Sequence, residues 1–179
     1  MALSMTKVTG FAPLVGVAPR ILILGSMPGV ASLEQQEYYG KPQNAFWKIM
    51  GELFSAGPEL PYQERVEQLT ARGIAVWDVL ASCVRPGSLD SAIDMRTAAT
   101  NNFTEFLTVH GRISHVFFNG RKAEEIFQKR VWAEVACIRP DLARLCLPST
   151  SPAMASLRFE QKLEQWRAVS SALDSVDNH

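Results

Sequence analysis

Four short apolar runs, separated by helical patterns, constrain the fold of this 179-residue chain more than any other feature. Each run is bounded by Gly, Pro or polar residues, as is typical of strands that are covered on both faces. The runs are Ile21–Gly25, Ile74–Asp78, Val116–Asn119 and Leu145–Leu147. Because strands that alternate with helices form parallel sheets, the sequence predicts a three-layer α/β/α fold with a central four-stranded parallel sheet.

Each helical pattern between the runs has one apolar face, and such a face is most simply part of the core. The predicted helices begin near Phe46, near Pro61, after Asn102, after Gly120 and near Phe159. The length fits one domain over residues 1–179. We expect residues 1–19 to lead into the sheet with an edge strand near Gly10–Val15, and residues 174–179 to fray.

Composition excludes several classes of protein. No apolar run approaches membrane-spanning length and no signal-peptide pattern is present, so the sequence predicts a cytoplasmic protein with no membrane contact. Lys plus Arg equals Asp plus Glu at 18 each, so the net charge does not predict a polyanion partner. A local basic patch is still possible, although each candidate alone is more simply a solvated surface charge. The candidates are Lys41, Lys48, Arg85, Arg121 and Lys122.

Cysteine and histidine spacing predicts neither a disulfide nor a metal site. Cys83, Cys137 and Cys146 form no CxxC pair, and the three histidines share no metal-ligand spacing. We therefore expect reduced thiols and no cofactor. We also expect the chain to act as a monomer.

The loops that follow the four strands are the candidate functional region. Right-handed crossovers place these loops at one edge of the sheet, where ligands bind in such folds. The P-loop, dinucleotide-binding and GxSxG patterns are absent. The loops instead carry aromatic, amide, carboxylate and hydroxyl side chains, which suit a flat heteroaromatic ring and a phosphate. Alone, the run Pro148–Pro152 is more simply a turn and helix cap.

Three sequence blocks resemble those of the uracil-DNA glycosylase superfamily, from Ile21 to about Ser156. GSMPG…YYGKPQNAFWKIM, residues 25–50, is most similar to the hypoxanthine-DNA glycosylase branch and is related to the mismatch-specific glycosylases. WDVLASCVRPGSLD, residues 77–90, corresponds to the base-recognition strand and its loop. LPSTSPA, residues 147–153, stands in the place of the Pro-Ser second motif. The resemblance implies the superfamily's fold and a DNA glycosylase.

Two positions depart from the superfamily pattern. Met27 stands where many relatives carry an Asp or Asn that positions the attacking water. Leu147 stands where a His or Asn steadies the leaving base. The hypoxanthine branch also lacks these groups, so the resemblance implies that Asn44, in the PxNxFW segment, is the catalytic residue. The branch with four cysteines around an iron–sulfur cluster does not fit a chain that has three.

The resemblance also implies roles for residues that bind the substrate. The implied base-binding residues are Ser26, Met27, Tyr39, Asp78 and Asn119. The implied DNA-binding residues are Ser149, Thr150 and Ser151, with Met154 as a wedge in the vacated stack. Simpler alternatives stay open: Tyr38 stacks instead of Tyr39, Asp78 caps the following loop, Asn44 satisfies local backbone, and Met154 is buried.

The implied function is a monofunctional DNA glycosylase of base-excision repair. It would extrude a deaminated base from DNA, most simply hypoxanthine, and hydrolyse its N-glycosidic bond. An Asp78 carboxylate could accept a hydrogen bond from N1–H of hypoxanthine, where adenine has only an acceptor. The alternatives are a glycosylase that acts mainly on uracil or on several deaminated bases, and a non-catalytic nucleic-acid-binding module on the same fold.

Overall fold

A computed structural model describes residues 6–178 and contains the predicted central sheet. The strand order is β3-β2-β6-β7, and all neighbours in this sheet are parallel. The four strands are β2 (Ile21–Gly25), β3 (Ile74–Asp78), β6 (His115–Asn119) and β7 (Ala143–Leu147). The prediction of a parallel α/β/α fold is therefore confirmed. β6 and β7 begin earlier than predicted because their first residues are polar or exposed and lie outside the apolar runs.

Helices cover both faces of this sheet. The helices among residues 6–178 are α1 (Val30–Gln35), α2 (Phe46–Phe54), α3 (Tyr62–Ala71), α4 (Phe103–Val109), α5 (Arg121–Arg130), α6 (Trp132–Ile138) and α7 (Phe159–Asp177). The sequence predicts α2, α3, α4, α5 and α7. It does not predict the six-residue α1 or the seven-residue α6, because both are too short to show an apolar periodicity.

Two hydrophobic clusters lie on opposite faces of the sheet because successive strand residues point in opposite directions. Leu22 and Leu24 of β2 belong to the cluster that also contains buried residues of α4, α5 and α6. Ile21 and Ile23 belong to the other cluster, with buried residues of α2, α3 and α7. All five residues of β2 are buried, which accounts for their continuous apolar sequence.

A second, antiparallel sheet was not predicted. Its order is β1-β4-β5, with β1 at Lys7–Thr9, β4 at Leu80–Val84 and β5 at Asp94–Thr100. The β4–β5 register shifts twice, and β5 is only partly buried, so neither alternation nor an apolar run marks this sheet in the sequence. The predicted edge strand near Gly10–Val15 is wrong: the strand lies at Lys7–Thr9, and Leu14 makes one isolated antiparallel bridge to Val76.

The C-terminal helix is longer than its apolar pattern. We expected fraying after Leu173, but α7 continues to Asp177, whose carboxylate forms an ion pair with Arg20. Residues 1–5 of the N-terminal segment and residue 179 of the tail lie outside the described residues. None of the helices formed by residues 6–178 combines the length and hydrophobicity that a bilayer crossing requires.

The start of α4 provides a test of the local sequence signals. Asn102 Oδ1 accepts a hydrogen bond from the Glu105 backbone N–H at 3.1 Å, as an N-cap does. We expect Asn102→Ala to lower the free energy of unfolding by about 1 kcal/mol, and Asn102→Ser to lower it much less because serine also caps. Denaturant titrations monitored by circular dichroism measure both values. Equal stability of Asn102→Ala and the wild type would contradict the capping role.

Candidate active site

The loops predicted to carry the site meet at one edge of the central sheet. Gly25 pairs in register with Asp78, and Asn119 pairs with Leu147. The four strands are parallel, so the segments after Gly25, Asp78, Asn119 and Leu147 all leave the sheet at this edge. The structure therefore brings together the three sequence blocks that are far apart in the chain.

Gly25 allows a close approach that no other residue type would permit. A β-carbon at this position would lie 2.5 Å from Asp78 Oδ1 and 3.0 Å from the hydroxyl oxygen of Tyr39. Both distances are shorter than ordinary carbon–oxygen contacts. The carboxyl of Asp78 and the hydroxyl of Tyr39 consequently converge over the end of β2, where a side chain would otherwise stand.

The two adjacent tyrosines have different environments. Tyr38 is 3% exposed, and its hydroxyl donates a 2.9 Å hydrogen bond to the carbonyl oxygen of Ala12. Tyr39 is half-buried and lies against Phe46 with ring centroids 4.0 Å apart and an interplanar angle of 24°. Its φ of +54° is uncommon for a bulky residue. Tyr38 is therefore a core residue, and Tyr39 is the tyrosine that the backbone turns towards the site.

In the described part of the chain, the buried Tyr39 hydroxyl has no hydrogen-bond partner of ordinary geometry, although the amide of Asn119 lies close enough to interact with it. Burial raises the pKa of Tyr39, and the nearby Asp78 carboxylate raises it further. The hydroxyl is therefore protonated and able to donate a hydrogen bond. A buried donor with no partner is a position where a ligand atom or a water is expected.

Asp78 is buried and electrostatically perturbed. It is 4% exposed, and its Oδ2 atom has no hydrogen-bond partner among residues 6–178. Burial, and to a smaller extent the charge of Asp90, raise the pKa of Asp78 to about 7 against the opposing effect of Arg85. No described group donates a hydrogen bond to this carboxylate, so Asp78 does not cap the following loop. A carboxyl with a pKa near neutrality at a ligand-binding sheet edge is a functional candidate.

The loop after β4 packs against the loop after β2. The Ser26 hydroxyl donates a hydrogen bond of 2.5 Å to Asp90 Oδ1. Arg85 donates to the carbonyl oxygens of Pro28 at 2.6 Å and Gly87 at 2.8 Å. Arg85 is 4% exposed, so its interpretation as a solvated surface charge or part of a surface basic patch is wrong. Sequence reasoning gave no role to Asp90, although it ends the second sequence block.

Asn44 lies at the start of α2. Its Oδ1 atom accepts a 3.0 Å hydrogen bond from the Phe46 backbone N–H, which is the local backbone role considered as an alternative. The same residue is half-buried, and within residues 6–178 its amide nitrogen has no hydrogen-bond partner. One end of the side chain is therefore fixed by the helix, while the other end is available to a water or a ligand.

Thr150 joins the third sequence block to the end of β6 and to the first sequence block. Asn119 Nδ2 donates to Thr150 Oγ1, and the Thr150 backbone N–H donates to Asn119 Oδ1, each at 2.9 Å. The Ala45 N–H donates to the Thr150 carbonyl oxygen, also at 2.9 Å. Thr150 is 1% exposed and its side chain is bonded to Asn119, so it supports the turn, and its DNA-binding role stays a prediction.

Ser149, Ser151 and Met154 lie nearer the surface. Ser149 Oγ accepts from the Ser151 N–H, and Ser151 Oγ accepts from the Ala153 N–H, both at 3.2 Å. These bonds use oxygen lone pairs, so both hydroxyl protons are left to donate. Met154 is half-buried and belongs to neither core cluster. Met154 is therefore not a buried core methionine, which was the alternative interpretation.

The two residues that depart from the superfamily pattern pack into the core. Met27 is 7% exposed and lies in the cluster with α4, α5 and α6. Leu147 lies in the cluster on the other face of the sheet. The three cysteines are unpaired, and within residues 6–178 no group of three or more His, Cys, Asp or Glu side chains could hold a metal ion.

Comparisons with known proteins identify the family. Residues 13–170 match the family described as the uracil DNA glycosylase superfamily. The chain is 34% identical over 162 residues to a hypoxanthine DNA glycosylase from Methanosarcina acetivorans, covering 89% of this chain and 96% of that protein. It is 35% identical over 120 residues to a hypoxanthine DNA glycosylase from Methanosarcina barkeri, covering 66% of this chain and 75% of that protein.

A solved structure shares the fold. It is the solution NMR structure of a Methanosarcina acetivorans protein provisionally assigned as a uracil DNA glycosylase. The TM-score is 0.76 at 28% sequence identity, and the match covers 94% of this chain and 99% of that one. Sequence and fold thus lead to one conclusion: the chain belongs to the uracil DNA glycosylase superfamily.

Proposed function

We propose that this chain is a monofunctional glycosylase that releases hypoxanthine from DNA during base-excision repair. One observation carries the choice of base: the buried Asp78 carboxyl and the Tyr39 hydroxyl converge over Gly25, and each has an atom that finds no hydrogen-bond partner within residues 6–178. Buried polar atoms of this kind destabilise the folded protein unless a ligand forms the missing hydrogen bonds. The names of the relatives from the two Methanosarcina species support the same substrate.

An extruded hypoxanthine supplies hydrogen-bonding groups that complement this pair. Ionised Asp78 accepts a hydrogen bond from N1–H, and the protonated Tyr39 hydroxyl lies beside it as a donor. Adenine has a lone pair at N1, so an ionised carboxylate repels it at that position. A buried group left facing the wrong partner discriminates strongly between two bases of the same shape.

Asn44 positions the water that attacks the sugar. The departing base leaves positive charge on the sugar and takes negative charge itself. An amide is a poor base, so Asn44 contributes orientation, with its Oδ1 held by the Phe46 N–H and its Nδ2 directed to the water. In this proposal, backbone N–H groups of the Gly25–Gly29 loop stabilise the base anion. The product is an abasic site in an uncut strand.

The proposal extends to the whole protein. It acts as one domain, which is consistent with a family match that spans residues 13–170. It works as a monomer in the cytoplasm, and the three unpaired cysteines are consistent with a reducing compartment. Ser149 and Ser151 contact DNA phosphates through their hydroxyl protons, and Met154 enters the gap that the extruded nucleotide leaves.

Base release from defined duplexes tests the function directly. Purified protein is incubated with labelled duplexes that contain one deoxyinosine, one deoxyuridine or one deoxyxanthosine, and alkali then cleaves any abasic site. We expect cleavage to be fastest with deoxyinosine, because hypoxanthine presents N1–H to Asp78 and is the base in the names of both relatives. Faster cleavage with deoxyuridine would indicate a uracil-directed enzyme, and DNA binding without any cleavage would indicate a non-catalytic module.

Substitution of Asn44 separates its catalytic role from its structural one. We expect Asn44→Ala to reduce the single-turnover rate of hypoxanthine release by about 100-fold, since a misplaced water loses the benefit of orientation. Asn44→Ser is the matched control, because serine still accepts a hydrogen bond at the start of a helix. Both variants should be slow, and only the alanine variant should lose thermal stability. Wild-type turnover in the serine variant would exclude a role in catalysis and leave Asn44 only its hydrogen bond to the start of the helix.

The pH profile tests the assignment of Asp78. The pKa of Asp78 is raised to about 7, so the carboxyl is mostly protonated at pH 6 and mostly ionised at pH 8. Because the ionised form accepts N1–H, the single-turnover rate with deoxyinosine should rise about tenfold over this range. Asp78→Asn should remove the rise and favour deoxyuridine, whereas the exposed control Asp141→Asn should keep it. A flat wild-type profile would rule out a titrating base contact.

A further inference from the structure

Lys162 is a buried cation for which the reaction above has no use. It is the fourth residue of α7 and is 5% exposed. Its ammonium makes one hydrogen bond, of 3.3 Å, to the carbonyl oxygen of Ser151. Among residues 6–178 no carboxylate lies within ion-pair distance of it. An ammonium carries three donors, so the protein satisfies only part of its capacity.

Two electrostatic effects make this position unfavourable for a lysine. Covering the side chain disfavours the charged form, which lowers the pKa of Lys162. The first turn of a helix carries the positive end of the helix dipole, which repels a cation. No counter-ion offsets either effect within the described chain. A buried lysine without a counter-ion is rare, and an anion from outside the chain would relieve both effects at once.

The surroundings of the ammonium specify the kind of anion. Lys162 lies directly behind the turn that contains Ser149 and Ser151, and Trp166, one helical turn further on, donates a 2.9 Å hydrogen bond to the Pro148 carbonyl oxygen. The turn is therefore anchored to α7 at two points. The ammonium thus touches, through the Ser151 carbonyl oxygen, the same turn that carries the two serine hydroxyls, and ammonium and hydroxyl donors are groups that bind a tetrahedral oxyanion.

We propose that Lys162 supplies the positive charge of a phosphate-binding site completed by Ser151, and that a DNA backbone phosphate beside the extruded nucleotide occupies it. This inference rests on the proposed function because that function identifies the anion as DNA. Such a site would let a chain with zero net charge bind DNA, because a positive charge would lie at the point of contact with the phosphate. Ser151 donates its hydroxyl proton, and Lys162 donates the N–H groups that Ser151 does not occupy.

The salt dependence of DNA binding measures a phosphate contact without requiring catalysis. Affinity is measured by fluorescence anisotropy, at several NaCl concentrations, for a duplex with one tetrahydrofuran abasic-site analogue, from which no base can be released. Lys162→Met preserves the length and packing of the side chain and removes the charge. We expect the slope of log K against log salt to become less negative by about 0.9, with affinity about tenfold weaker near 0.1 M salt. The exposed control Lys129→Met should change neither quantity.

Thermal melting distinguishes a ligand-binding lysine from a structural one. Without DNA, Lys162→Met should melt at or above the wild-type temperature, because an unpaired buried charge has been replaced by an apolar group of similar size. Inorganic phosphate should raise the melting temperature of the wild type more than that of the variant. A variant that melts lower than wild type and keeps the wild-type salt slope would overturn the proposal and leave Lys162 as a support for the turn.

The two proposals fail in different ways. If the wild type releases no hypoxanthine and Lys162→Met still loses one unit of salt slope, the proposed function fails and the phosphate site stands. If the wild type releases hypoxanthine and the variant binds the tetrahydrofuran duplex with an unchanged slope, the phosphate site fails and the proposed function stands.

Discussion

The absence of a side chain at Gly25 is the constraint on which the site depends. Without a β-carbon there, the Asp78 carboxyl and the Tyr39 hydroxyl approach each other over the end of a fully buried strand. Their burial raises both pKa values and leaves hydrogen-bonding capacity unused. Buried polar groups without hydrogen-bond partners destabilise a folded protein, so they are expected mainly where they bind something. Recognition of an extruded base would be such a role.

Much of the fold could be predicted because the central strands are buried on both faces, which leaves an unambiguous apolar signal. That signal weakens with exposure: the first residues of β7 are exposed at the sheet edge, and bulges disrupt the β4–β5 pairing. In the site, sequence pattern could not choose between Tyr38 and Tyr39, because the choice depends on a positive φ at Tyr39. The sequence also did not predict the burial of Arg85, because its hydrogen-bond partners are backbone carbonyl oxygens, which every residue type carries.

The departures from the superfamily pattern have a consistent structural explanation. Met27 and Leu147 are the residues that replace the usual polar groups, and both lie in the hydrophobic core. A polar side chain at either position would have to be satisfied within the core or by substrate. Under the proposed function, the polar groups near the substrate come instead from Asn44, Tyr39 and Asp78, which occupy other positions at the same sheet edge.

One hydrogen bond has a mechanical consequence. The Ala45 N–H donates to the Thr150 carbonyl oxygen, which joins the residue after Asn44 to the turn that contains Ser149 and Ser151. Asn119, at the end of β6, also forms hydrogen bonds with Thr150. A displacement of that turn would therefore also displace the start of α2, where Asn44 lies. Under the proposed function, contact with the DNA backbone and orientation of the water are then mechanically coupled.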